Sequence, residues 1–114
     1  MQNTRLSKLL EFLSNDSSDP FLLYAIATEY NVLNDTENAF KYYLKLTTDH
    51  ADYVGTYYHL GKLYERVDQK DQAIATYQQG MEVARAKRNM HALSELQGAY
   101  QMALGFDDDD DDED

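Results

Sequence analysis

Apolar residues recur three and four positions apart along most of the chain, in blocks separated by short polar turns. Leu6, Leu9, Leu10 and Leu13 form one stripe, which predicts a short helix over 4–14. Asp19 then stands as an N-cap, with Pro20 at the first helical position and Leu23, Ile26, Ala27, Tyr30 and Leu33 at helical spacing. NDTEN makes a turn, and a second helix carries Ala39, Phe40, Tyr43 and Leu46. The plan repeats with Tyr57, Leu60, Gly61, Tyr64 and Val67, the turn DQKDQ, and then Ala73, Ile74 and Tyr77. A last stripe, Met90, Leu93, Leu96, Tyr100 and Leu104, predicts a helix over 89–104 with one apolar side and a polar remainder. Six helices are expected.

The two central hairpins are copies. Sliding 20–53 onto 54–87, an offset of 34, aligns Tyr24 with Tyr58, Tyr30 with Tyr64, Ala39 with Ala73 and Tyr43 with Tyr77. Ile26 then meets Leu60, Ala27 meets Gly61, Leu33 meets Val67 and Phe40 meets Ile74, all at core-type spacing. Gly61 lies mid-helix, where glycine costs about 1 kcal/mol relative to alanine. Ala27 and Gly61 each precede an alanine by 12 residues, so each hairpin has a small residue on both helices. Small residues facing one another allow a close backbone approach, with the neighbouring tyrosines filling the flanking grooves. On this reading Gly61 is a packing residue.

These residues resemble the tetratricopeptide repeat family, whose 34-residue unit carries small residues and aromatics at these offsets. The resemblance rests on Leu23, Ile26, Ala27, Tyr30, Ala39 and Tyr43 in the first unit. In the second it rests on Tyr57, Leu60, Gly61, Tyr64, Ala73, Tyr77 and Gly80. Leu46 replaces the family's late small residue in the first unit, and Ala51 and Arg85 replace its closing proline. The resemblance implies an all-α fold, a right-handed superhelical stack of antiparallel helix hairpins, as a single domain over 1–105. Repeat one is 20–53 and repeat two 54–87, flanked by the N-terminal helix and the C-terminal capping helix.

Composition narrows the function classes. The formal charge is −11, but Asp107 to Asp114 are all acidic, so the body holds 13 acids against 10 bases. That run over 106–114 reads as a disordered, solubilising tail, or as an arm for a basic partner or for the cluster Arg85, Lys87 and Arg88. A negative body and tail disfavour nucleic acid. The absence of cysteine excludes disulfides and thiolate sites, and no apolar run approaches the ~20 residues of a membrane span, so a cytoplasmic setting without membrane contact is expected.

No catalytic constellation stands out. His50, His59 and His91 have no metal-ligand spacing, there is no phosphate loop or nucleophile elbow, and no cofactor is implied. A non-enzymatic protein is expected. The family resemblance implies instead a concave face lined by the first helices of the hairpins, holding a peptide or a partner helix. By position that gives Phe21, Tyr24, Thr28 and Asn31 from the first unit and Tyr58, Lys62 and Glu65 from the second. Aromatics with polar tips suit binding, although Tyr24 and Tyr58 equally fit packing against neighbouring hairpins. The family's clamp for a terminal carboxylate is not expected, because Tyr24, Thr28 and His59 stand where it needs a lysine and two asparagines. Lys62 beside Glu65 reads as an exposed ion pair worth under ~1 kcal/mol. The rival is a self-associating structural unit, a homodimer through its open repeat ends with no peptide ligand.

Overall fold

The computed structural model describes residues 4–16 and 18–105, which form six helices. They are α1 (Thr4–Asn15), α2 (Pro20–Val32), α3 (Thr36–Asp49), α4 (Gly55–Arg66), α5 (Lys70–Ala86) and α6 (Met90–Leu104). No strand occurs among the described residues, so the all-α expectation holds. The chain divides into two compact units, with the boundary between Thr56 and Tyr57. The acidic run lies outside the described residues.

Caps and turns explain the helix limits. Asp19 accepts the Phe21 N–H at 2.9 Å, and Pro20 occupies the first turn, where its missing N–H costs nothing. Three interhelical turns share one device. Asn34, Asp68 and Arg88 take positive φ (62°, 64° and 56°), and the next residue donates its N–H to a carbonyl five residues back. These bonds are Asp35 to Tyr30, Gln69 to Tyr64 and Asn89 to Ala84, at 2.9, 2.8 and 2.9 Å. Each turn thus satisfies carbonyls left over by the preceding helix. Asp35 and Asn89 go on to cap the following helix, accepting from Asn38 and Ala92.

In the first unit α2 packs on α3 through Leu23, Ile26, Ala27, Ala39, Tyr43 and Leu46, all fully buried, and α1 lies along α2. The leucine stripe of α1 is only half-buried, and Phe12 beside it is exposed. In the second unit the core is Tyr57, Leu60, Leu63, Ala73, Tyr77, Met81, Ala84 and, from α6, Leu96, Ala99 and Ala103. Three periodic positions depart from expectation. Leu33 and Val67 are exposed, because each falls just past its helix where the positive-φ turn diverts the chain. Met90 is also exposed, so the α6 contact runs through Leu96, Ala99 and Ala103 and not from the helix's first residue.

Gly61 is buried, and the atoms nearest to it across the hairpin belong to Tyr77. A Cβ built on it would stand 2.2 Å from Cε1 of Tyr77, so the bare backbone of α4 is what the Tyr77 ring lies on. Gly80 does the reverse service on α5, where an added Cβ would be 2.5 Å from Cβ of Tyr57. Each helix of this hairpin therefore offers a glycine to the other's tyrosine.

Candidate functional site

The candidate residues of the first unit share one stripe of α2, at positions 21, 24, 28 and 31. Phe21 is 63% exposed, a large apolar ring in water at the start of the helix. Tyr24 is half-buried. It meets Tyr43 edge-on at a centroid distance of 6.5 Å and Tyr53 at 5.6 Å, and the backbone of Gly55 faces its ring. Burial, then the neighbouring Tyr53, raise its phenol above the ordinary value. Thr28 Oγ1 and the Tyr43 hydroxyl share a hydrogen bond of 3.2 Å. Asn31 is half-buried, and its Oδ1 is a buried acceptor with no hydrogen-bond partner among the described residues.

In the second unit Tyr58 is half-buried, edge-on to the His59 ring at 5.5 Å, with Lys62 Nζ at 5.6 Å from its centroid. Burial lowers the His59 pKa, and Glu95 opposes that shift. The Lys62–Glu65 ion pair expected from sequence is not formed. Lys62 lies over the Tyr58 ring instead, while Glu65 Oε2 accepts the Tyr77 hydroxyl at 2.5 Å. A carboxylate bonded to a buried phenol gains more than one facing a solvated ammonium, which explains the choice.

Glu65 also lines a cavity of about 310 Å³ together with Asp68, Lys70, Met102 and Ala103. Sequence reasoning selected only Glu65 of these. Asp68 and Lys70 were read as turn, and the two α6 residues are 37 and 38 positions away from Glu65, beyond any helical spacing. Tyr53 was likewise missed, since it precedes α4 and belongs to neither stripe. Among the described residues no cluster of three or more histidine, cysteine or acidic side chains is placed to hold a metal. His91 instead pairs with Glu95 one turn along α6, at 3.2 Å.

Comparison with known proteins bears on this geometry. The tetratricopeptide repeat model matches residues 54–87, the hairpin of α4 and α5. A tetratricopeptide repeat domain protein from Salinibacter ruber is similar over its whole length. Its crystal structure shows 49% identity and a TM-score of 0.75, covering 78% of this chain and 100% of that one. The chain belongs to the tetratricopeptide repeat family. The Salinibacter ruber solution structure agrees, with 46% identity, a TM-score of 0.76 and coverage of 86% and 99%. The crystal structure of MamA shares the fold at 19% identity and a TM-score of 0.66, over 89% of this chain and 57% of that one. No curated protein matches the sequence. As a tetratricopeptide repeat protein it has a fold that generally serves as a scaffold for protein contacts. No helix among the described residues is long and apolar enough to cross a membrane.

Proposed function

We propose that this tetratricopeptide repeat domain is a non-catalytic, cytoplasmic interaction module that binds an extended peptide or partner helix on the faces of its first helices. The residues assigned to binding are Phe21, Tyr24, Thr28 and Asn31 on α2, and Tyr58, Lys62 and Glu65 on α4. One observation carries the reading: α2 keeps Phe21 63% exposed at one end of a stripe whose other end, Asn31, holds a buried amide oxygen with no donor among the described residues. An exposed ring supplies contact area, and an unmatched acceptor favours an incoming N–H. Tyr24, by contrast, is held by Tyr43 and Tyr53, so it shapes the face as much as it contacts anything on it.

The test is affinity capture with the full chain, followed by direct titration of each captured partner. Tyr24→Ala combined with Tyr58→Ala is expected to weaken a partner by about tenfold or more, as buried aromatic anchors do. Unchanged affinity would remove the face from the binding reading. Sedimentation across a concentration series checks the rival, and a tight dimer that buries Phe21 and Tyr58 would replace the peptide ligand with a second copy.

A further inference from the structure

The cavity beside Glu65 sets charged groups of α4, α5 and the turn between them against an apolar side from α6. Met102 and Ala103 give it an apolar side, and Glu65, Asp68 and Lys70 give it two carboxylates and one ammonium, a formal charge of about −1 at neutral pH. Neither carboxylate forms an ion pair among the described residues. Glu65 is held in place, because its Oε2 takes the hydrogen of the fully buried Tyr77 hydroxyl. Burial, then the contact with Glu65, push the Tyr77 phenol far up, so it stays a donor to that carboxylate. Asp68 is held by the turn itself, with φ at 64° and its N–H bonded to the Glu65 carbonyl at 3.0 Å.

A monoanionic cleft with an apolar side matches a long cationic side chain. The methylene stem covers Met102 and Ala103 while the charged head reaches the carboxylates.

We propose that the cleft between the α4–α5 turn and the end of α6 receives a lysine or arginine side chain from a basic segment of a protein partner. This rests on the interaction-module reading and gives the partner a chemistry.

The probe is the acetylated, amidated peptide ARAKARA, with AEAEAEA as its counterpart, titrated into the isotope-labelled full chain. ARAKARA is expected to shift the amides of Asp68, Lys70 and Met102, and AEAEAEA to leave them unmoved. Glu65→Gln keeps an acceptor for Tyr77 and Asp68→Asn suits positive φ, so both fold; each is expected to weaken ARAKARA by about twofold to fivefold. Lys70→Ala, which removes the competing cation, is expected to tighten it. Shifts confined to the acidic run, or an affinity unmoved by Asp68→Asn, would overturn the proposal. Tyr24→Ala with Tyr58→Ala separates the two readings. Partner capture that survives this pair while the cavity shifts persist removes the α2 and α4 faces and leaves the cleft standing. Cavity shifts that never form, with capture lost in this pair, remove the cleft and leave the faces.

Discussion

Where α4 carries Gly61, α2 carries Ala27, and where α5 carries Gly80, α3 carries Leu46. The facing positions change in step. The second unit sets Tyr57 and Tyr77 against its two glycines, while the first sets Leu23 and Tyr43 at the same repeat positions, every one of these four fully buried. Side-chain volume is thus divided differently between paired helices, with large against absent in one hairpin and medium against medium at one of the two positions in the other. The methyl of Ala27 occupies space that Gly61 leaves to the Tyr77 ring. The hydroxyls accordingly find different partners, Thr28 for Tyr43 and Glu65 for Tyr77, although Asn31 stands at the repeat position of Glu65. Close packing tolerates redistribution of volume but not its addition.

The largest effects should come from adding volume to the second hairpin. Gly61→Ala would place a methyl 2.2 Å from Cε1 of a fully buried ring, and Gly80→Ala one 2.5 Å from Tyr57 Cβ, which moves only with the backbone of α4. Each should lower stability by about 1 to 3 kcal/mol, enough to outweigh the ~1 kcal/mol that alanine gains in a helix. Ala27→Gly, the converse change in the first hairpin, should cost about 1 kcal/mol by helix propensity. Urea midpoints measure all three. A Gly61→Ala protein more stable than its parent would break the comparison.

The two hydroxyls give a finer test. Tyr77 bonds to a carboxylate and Tyr43 to an alcohol, so Tyr77→Phe should cost about 1.5 to 3 kcal/mol and Tyr43→Phe about 0.5 to 1.5 kcal/mol. Alkali sharpens the contrast. Burial first, and Glu65 second, raise the folded Tyr77 phenol above the ordinary value, so the folded state binds this proton more tightly than the unfolded chain. Its contribution is intact below the unfolded phenol pKa of about 10 and is lost as pH rises beyond it. Tyr77→Phe should therefore flatten the fall in stability above that pH. Tyr24, Tyr30 and Tyr53, also raised by burial, will keep some of the fall in place.

The repeat register was legible in the sequence because burial imposes a helical period and the second hairpin restates it 34 residues on. The burial of Gly61 was legible too, since a mid-helix glycine needs a packing reason. The tyrosine that supplies its nearest atoms was not. Spacing pairs small positions turn by turn, whereas a tyrosine ring spans a helical turn and reaches Gly61 from position 77. The partner of Glu65 was hidden on similar grounds. The proximity of Glu65 to Lys62 along the helix is visible in one dimension, but the hydroxyl that claims it comes from 12 residues further on. The cleft was invisible for the same reason, because α6 supplies Met102 and Ala103 by tertiary packing alone.

The smallest effect tests whether the units differ in their turns as they do in their cores. Asp35 and Gln69 occupy the same repeat position, follow the same positive-φ residue and donate the same backbone bond. Asp35 then accepts the Asn38 N–H and caps α3, whereas Gln69 makes no side-chain cap to α5. Glutamine carries its amide one methylene further out than asparagine and is a poor N-cap, so the early N–H groups of α5 are left to water. Gln69→Asp should transplant the cap and raise stability by about 0.5 to 2 kcal/mol. Asp35→Ala should remove a similar amount from the first unit. Gln69 is exposed, so no packing change accompanies its substitution. Chemical denaturation of the two variants together makes the comparison: a gain in one unit matching a loss in the other would show that the turns are interchangeable even where the cores are not. No gain from Gln69→Asp would mean that the backbone at 69 holds the carboxylate away from Gln72, so that the two turns differ despite their shared hydrogen bond.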